Sequence, residues 1–175
     1  MTGKNRKLFW CSLLLCVNLV FIWGNSLIPG DESGQFSQSV MESIEKLADL
    51  PVLDKLSIPI RWAINGILDS TGLNGLTGGM LLRKAAHFTE FFCLGFLLCR
   101  FFLLIGQKGV HRFTMPQFCG MLAAFVDETI QLFSPGRAGS VADVWIDTAG
   151  VFVGVMLMLQ ISNRIKKKRS KNGGK

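Results

Sequence analysis

Charged side chains are scarce in this sequence, and long uncharged stretches take up much of its length. Only 18% of the 175 residues are charged, 49% are hydrophobic, and the mean hydropathy is +0.38. This composition is not typical of a soluble domain and indicates an integral membrane protein. The length suits one modest domain, and no stretch resembles a nucleic-acid-binding module.

Cysteine patterns that hold zinc or form a disulfide framework are also missing. The sequence has no CxxC pair and no Cys/His cluster. Its cysteines fall within predicted membrane spans, where a free thiol behaves as a small apolar group. They are Cys11, Cys16, Cys93, Cys99 and Cys119. We therefore predict no disulfide and no zinc site.

Four runs of the sequence are predicted to cross the membrane as helices. A helix needs about 20 apolar residues to cross the roughly 30 Å hydrocarbon core. The runs are about 8–28, 81–105, 116–133 and 143–161. They predict an all-α integral membrane protein built as a four-helix transmembrane bundle.

The first and third runs each require a choice between two interpretations. The first follows a basic start, as a signal peptide does, but it is long and has no clear cleavage site. We therefore interpret it as a retained anchor. The third is the weakest, because only Phe118 to Val126 is continuously apolar and Asp127 and Glu128 follow. It is kept because it gives the charges a consistent distribution.

Charged residues distribute unevenly around these four spans. With the N-terminus in the cytoplasm, thirteen of the 19 Lys and Arg residues lie on the inner side, many of them in a basic tail at about 162–175. All 12 acidic residues lie on the outer side. The positive-inside rule predicts this orientation. We therefore expect a multi-pass protein of the cell membrane with both termini cytoplasmic.

The outer segment between spans one and two, about 29–80, is predicted to form short interfacial helices. Apolar residues at three- and four-residue spacing predict a first amphipathic helix. A second is predicted over Ile60–Leu68, with Trp62 at headgroup depth. These helices either form a lid over the candidate site described below or simply pack along the membrane interface. The first helix has the apolar residues Phe36, Val40, Ile44 and Leu47.

Ionisable residues inside the predicted spans form the candidate site. A charge at the bilayer centre costs about 2.5 to 3.5 kcal/mol on insertion scales, so it is rarely kept without pairing or use. Helical spacing places these residues on shared faces at a similar depth near the outer ends of spans two, three and four. Arg137 lies in the short loop between spans three and four, where it would lie over the opening of the site. The candidate ligand-binding residues are Arg83, Lys84, His87, Glu90, Asp127, Glu128, Gln131, Arg137, Asp143 and Asp147.

Structural explanations for single members of this set stay open. Asp143 can act as the favourable negative charge at the start of the fourth helix. Glu90 can form a purely structural pair with Arg83 or His87. Below the two carboxylates of the fourth span, Gly150 and Gly154 form a GxxxG pattern that predicts close helix packing.

Three segments resemble the VanZ-like membrane protein family: residues 83–90, 127–137 and 143–150. Residues 25–35 are similar to its Gram-positive members, so the resemblance covers nearly the whole chain. One departure is Phe91, where relatives often carry an aromatic hydroxyl, and the chain has no Tyr at all. The resemblance implies a role in resistance to teicoplanin and related lipoglycopeptides.

The preferred interpretation of the site is binding. An envelope lipid or a lipid-linked cell-wall precursor would be held or remodelled at the outer leaflet. Arg83, Lys84 and Arg137 would donate charge-assisted hydrogen bonds to its phosphate. The acidic residues would orient these donors.

An enzyme acting on the same lipids is the alternative interpretation. His87, Asp127 and Asp147 are the candidate catalytic residues of such a hydrolase or phosphotransferase, as acid–base groups. No cofactor is required by the sequence, although a divalent cation held by Asp127, Asp143 and Asp147 would favour hydrolysis or phosphoryl transfer. A proton-coupled transporter ranks third, since four spans would form one only as a homo-oligomer.

Overall fold

The computed structural model of the chain is all-helical over the residues that it describes, 3–48 and 78–172. This confirms the predicted all-α class. The predicted short helix Ile60–Leu68 and the interfacial Trp62 lie outside the described residues. The helices are α1 (Gly3–Leu27), α2 (Gly30–Ala48), α3 (Gly78–Leu104), α4 (His111–Gln131) and α5 (Val141–Asn172).

Three of these helices are long and apolar enough to cross a membrane: α1, α3 and α5 as far as Lys168. They correspond to predicted spans one, two and four. The helix predicted as span three also forms, as α4, but it is not apolar enough to be counted with the other three as a candidate membrane span. Hydropathy therefore supports three of the four predicted spans, and the packing of α4 is the evidence that bears on the remaining one.

The side chains of α4 are sorted by polarity, with the polar ones inside. Gly120, Ala124, Asp127, Glu128 and Gln131 are buried. The exposed face is apolar and includes Phe118, Met121, Leu122, Phe125 and Val126. An ordinary surface helix of a soluble protein shows the reverse arrangement.

The helices extend beyond the predicted apolar runs. α1 begins at Gly3, α4 begins at His111, and α5 continues to Asn172. Hydropathy marks only the apolar part of a helix, whereas Lys and Arg are also good helix formers, so the hydrogen-bonded turns continue into the basic segments. α1 ends at Leu27 because Pro29 disfavours the helical conformation of the residue before it.

Pro116 lies inside α4 and removes one hydrogen bond from that helix. The carbonyl oxygen that its missing N–H would bind belongs to Arg112. The Cys99 thiol of α3 donates to that oxygen over 3.7 Å. This contact joins α3 to the start of α4 at the proline.

The chain divides into two compact units. One contains Met1–Pro29 and Ala86–Lys175, and the other is Gly30–Ala85. In the second unit, α2 confirms the predicted first amphipathic helix. There the start of α3 packs closely on α2, since a methyl group at Gly79 would lie 3.3 Å from the backbone nitrogen of Gln38.

The core of the first unit lies between α1, α3, α4 and α5. Glycines let α3 and α5 approach each other there. A methyl group at Gly150 would lie 2.5 Å from the carbonyl oxygen of Phe88, and one at Gly154 would collide with the backbone of Phe92. This confirms the predicted close packing of the GxxxG pattern. The buried apolar residues include Leu15, Ile22, Phe91, Leu94, Ala124, Val151, Val155 and Met158.

Candidate functional site

Polar side chains gather at one end of the first unit, where α1 and α4 finish and α5 begins. α3 contributes His87 and Glu90 to the same place. Several members are buried and bonded to residues far away in the sequence. We call this set the polar cluster: Asn25, Ser26, His87, Glu90, Asp127, Glu128, Gln131, Ser134, Arg137, Ser140 and Asp147.

Asp127 has no solvent exposure and is held from two helices. The Ser26 hydroxyl of α1 donates to its Oδ1 over 2.6 Å, and the Gln131 amide donates to its Oδ2 over 3.0 Å. His87 Nδ1 lies 3.8 Å from the same Oδ2, which is beyond hydrogen-bond range. The Asp127 carboxylate is therefore fixed in orientation while one of its oxygens faces the imidazole.

Glu128 connects α4 to the start of α5. Its Oε2 accepts a 2.7 Å hydrogen bond from the backbone N–H of Ser140, and its Oε1 accepts one of 3.3 Å from the Gln131 amide. The first bond satisfies a backbone donor just before α5 begins, as a capping group does. Gln131 thus holds Asp127 and Glu128 together.

The α4–α5 loop is tied to the end of α1. Arg137 Nη2 donates to the carbonyl oxygen of Asn25 over 3.0 Å, and the Ser134 hydroxyl donates to that of Ser26 over 2.7 Å. Gly136 has a φ of 69° inside the Ser134–Arg137 turn, and glycine adopts this conformation without strain. This turn brings the half-buried Arg137 back towards α1.

Glu90 joins the same connection from α3. Its Oε1 accepts a 3.0 Å hydrogen bond from the Asn25 side chain. The main chain of Asn25 binds Arg137 at the same time. One residue at the end of α1 therefore contacts both an acid of α3 and the base of the loop.

Asp147 has a different environment from the other acids of the cluster. It has no solvent exposure, and neither of its carboxylate oxygens has a hydrogen-bond partner among the described residues. One of its oxygens, one Asp127 oxygen and one His87 nitrogen all lie within 4.8 Å of one another. We call His87, Asp127 and Asp147 the three-residue group. Groups of this composition bind metal ions or transfer protons.

Three sequence-predicted site residues are members of neither the three-residue group nor the polar cluster: Arg83, Lys84 and Asp143. Arg83 and Lys84 belong to the second unit, near the start of α3. Asp143 is half-buried in the first turn of α5, where a negative charge suits the helix dipole. The three-residue group thus contains His87 where the sequence suggested Asp143, and the roles of all these residues stay predictions.

Four members of the cluster were not predicted as site residues: Asn25, Ser26, Ser134 and Ser140. They are uncharged, and none lies in a predicted span that contains charged residues. Gln131 is also uncharged, but it shares a helical face with Glu128. A usable signal was present in α1, because Asn25 and Ser26 form a polar pair in the last turn of an otherwise apolar helix. Ser140 binds Glu128 through its backbone, which no sequence pattern reveals.

An apolar groove of about 260 Å³ lies between α1, α3 and α4 in the same unit. Trp23 of its lining precedes Ser26 by less than one helical turn, and Val126 is adjacent to Asp127 in the sequence. The groove therefore approaches the polar cluster. Its other lining residues include Leu19, Leu94, Leu98 and Leu122.

Comparison with known proteins identifies a family. The family model described as VanZ/LLP1 matches residues 9–162, which contain the whole polar cluster. Comparisons with curated proteins and with solved structures give no match. Since the family model covers most of the sequence, this chain belongs to the VanZ/LLP1 family.

Proposed function

We propose that this VanZ/LLP1 protein crosses the cell membrane four times, with both termini in the cytoplasm. α4 buries its acids against neighbouring helices and exposes phenylalanines, as a helix in contact with lipid does. Hydropathy averages the two faces of a helix, so a span with a polar interior face scores poorly. The excess of Lys and Arg at the opposite end supports the orientation.

Labelling of single cysteines tests this topology. Val110 and Ala138 are exposed in the loops on either side of α4. In a chain without its native cysteines, Val110→Cys is expected to react only after the cells are permeabilised, and Ala138→Cys in intact cells. Reaction of both positions in intact cells would refute the four-span arrangement.

The function that we propose is binding or remodelling of an envelope lipid or a lipid-linked cell-wall precursor at the polar cluster. This activity would give low-level resistance to teicoplanin and related lipoglycopeptides. The observation that carries the proposal is the apolar groove that approaches a buried polar cluster. An amphiphile with a phosphate headgroup and a long apolar chain matches both parts.

The donors for a phosphate would come from Arg137 and His87. The guanidinium of Arg137 donates to a backbone oxygen through Nη2, and a guanidinium is permanently charged. Charge-assisted bonds of this kind are roughly twice as strong as neutral ones. The groove would hold the first part of the apolar chain, since its lining is almost entirely nonpolar.

Drug susceptibility and bound lipid are the two measurements that test this function. Cells producing the wild-type chain are expected to tolerate more teicoplanin than cells producing Asp127→Asn. Asp31→Asn is the matched control, because Asp31 is exposed on α2. Mass spectrometry of the purified wild-type chain should detect one class of co-purified phospholipid or lipid-linked precursor, and the mass of that lipid should be unchanged.

A variant that fills the groove tests independently whether the groove holds the apolar chain of the lipid. Ala123→Phe is expected to reduce lipid retention, since Ala123 is buried and lines the groove. Ala149→Phe, at an exposed position of α5, is the matched control. Equal lipid retention by both variants would contradict the assignment of the groove.

Catalysis on the same lipid is the second candidate function. It is favoured by the three-residue group, whose acid–base atoms come within 4.8 Å of one another. A positioned acid or base contributes roughly a hundredfold to ten-thousandfold in rate. A new lipid product that forms with the wild-type chain and is absent with His87→Ala would establish an enzyme in place of a binder.

A further inference from the structure

We propose that His87, Asp127 and Asp147 bind a divalent metal ion, Mn²⁺ or Zn²⁺. One ligand atom from each residue lies within 4.8 Å of the other two. Ligands at roughly 2.0 to 2.3 Å from an ion are about 3 Å apart when adjacent and about 4 to 4.6 Å apart when opposite. The 3.8 Å between His87 Nδ1 and Asp127 Oδ2 falls between these values.

Asp147 is the observation that points to a cation. Its side chain has no solvent exposure, and both carboxylate oxygens lack a hydrogen-bond partner among the described residues. A buried carboxylate that meets neither a donor nor a positive charge is strongly unfavourable, because it has lost its hydration without any compensating interaction. A divalent ion that bonds to one of its oxygens removes this cost.

Asp127 is held as metal-binding carboxylates usually are. Such ligands accept hydrogen bonds from neighbouring groups that fix their orientation. Ser26 and Gln131 donate to the two oxygens of Asp127, and Gln131 is itself held by Glu128. These contacts come from α1 and α4, so the direction of the carboxylate is set by the packing of two helices.

The chemical nature of the ligands selects the ion. One imidazole nitrogen with two carboxylate oxygens suits Mn²⁺ or Zn²⁺, whereas Ca²⁺ and Mg²⁺ prefer oxygen ligands alone. The prediction that the chain has no zinc site rested on cysteine patterns, and no cysteine belongs to this group. Three protein ligands also leave further coordination positions for a bound molecule.

A metal ion would also explain how a cluster rich in carboxylates binds the phosphate of a lipid. This step rests on the proposed lipid-binding function. The cluster has four carboxylates, those of Glu90, Asp127, Glu128 and Asp147. Its permanently charged base is Arg137. A phosphate approaching these carboxylates is repelled by them, whereas a divalent ion attracts it and coordinates its oxygens directly.

Metal analysis of the purified chain tests the ion itself. The purified chain is incubated with Mn²⁺ or with Zn²⁺, and excess metal is removed. Inductively coupled plasma mass spectrometry is expected to find about one ion per chain, because the three ligands form one site. Asp147→Asn should lose this ion, whereas Asp143→Asn, one turn earlier on α5, should keep it. Thermal unfolding of the metal-free proteins checks that Asp147→Asn is folded. Equal metal content in the wild type and Asp147→Asn would overturn the proposal, as would a wild-type chain that retains neither ion.

The two histidines of the chain provide a matched pair for the imidazole ligand. His111 is exposed at the start of α4, far along that helix from Asp127. Pulsed electron paramagnetic resonance of bound Mn²⁺ is expected to show coupling to a directly bonded nitrogen. This coupling should disappear in His87→Ala and persist in His111→Ala. A coupling that survives in His87→Ala would remove His87 from the site.

Lipid retention separates this inference from the proposed function. If a chelator removes the ion and the specific lipid leaves with it, both stand. If the ion binds and no specific lipid is retained in either state, the metal site stands and the proposed lipid function fails. If the lipid is retained by a wild-type chain that takes up no metal, the metal site fails and the lipid function stands.

Discussion

The two ends of the first unit hold their charges in opposite ways. At the polar cluster, Asp127 and Asp147 are completely buried, and the neighbouring groups are linked by hydrogen bonds. At the other end, which we call the basic end, Arg6, Lys7 and Arg100 are exposed and line an open groove of about 410 Å³. Helices α1 and α3 contribute residues to both ends.

Side-chain length explains much of this contrast. Arg and Lys have long apolar stems, so their charges reach water even when the helix is in an apolar environment. Asp has a single methylene, so at the same depth its charge stays among the helices. The basic end can therefore serve topology alone, whereas the buried acids require partners or a ligand.

The largest effect is expected where the polar cluster depends on close helix packing. Gly150→Leu would force α3 and α5 apart, because even a methyl group at this position approaches the carbonyl oxygen of Phe88 to 2.5 Å. We expect a loss of about 3 kcal/mol or more in the free energy of unfolding, at or above the upper end of typical overpacking effects. Unfolding in detergent measures this. Gly24→Leu is the control, since nothing lies within 4 Å of a methyl group there.

Arg137→Ala should remove the base of the polar cluster without unfolding the chain. It deletes the donor to the Asn25 carbonyl oxygen and a candidate phosphate ligand. We expect teicoplanin protection to be lost while the protein still accumulates in the membrane. Lys108→Ala, an exposed position in the loop between α3 and α4, should keep protection. Full protection by Arg137→Ala would show that the polar cluster has only a structural role.

Ser26→Ala tests how strongly the Asp127 carboxylate depends on α1. The 2.6 Å hydrogen bond from Ser26 is one of two that the described residues make to that carboxylate. Leaving a buried charged acceptor with one donor fewer should cost about 1 to 3 kcal/mol of stability. Chemical unfolding of the purified protein measures this cost. Ser12→Ala, on the same helix, should change stability by less than about 0.5 kcal/mol.

The smallest effect is expected at the basic end. Arg100→Gln should change the free energy of unfolding by less than about 0.5 kcal/mol, because the side chain is exposed. Teicoplanin protection should also stay at the wild-type level. A variant that loses protection but unfolds like the wild type would show that the basic end has a function of its own.

Sequence patterns were sufficient for the helices and for several of the buried contacts. The apolar runs predicted α1, α3 and α5, and the spacing of Phe36 and Val40 predicted α2. Gly150 and Gly154 predicted the close approach of α5 to another helix. These properties are local, because hydropathy and helical periodicity depend on neighbours along the chain.

The membership of the candidate site was only partly visible from the same patterns. Ionisable residues at a common depth pointed to His87, Asp127 and Asp147, but the same criterion also selected Asp143. Helical spacing gives the face and the depth of a side chain on its own helix. It does not give the rotation of one helix against the next, which decides which carboxylates meet.

The sequence by itself therefore determined a helical membrane protein of the VanZ/LLP1 family with acids concentrated near one end of its helices. Tertiary structure decided that Ser26 of α1 would hold Asp127 and that the backbone of Ser140 would hold Glu128. It also decided that Asp147 would lie beside His87 without a hydrogen-bond donor among the described residues. The physical reason is that hydrogen bonds between distant residues follow from how helices pack, and packing depends on the surfaces of all the helices together.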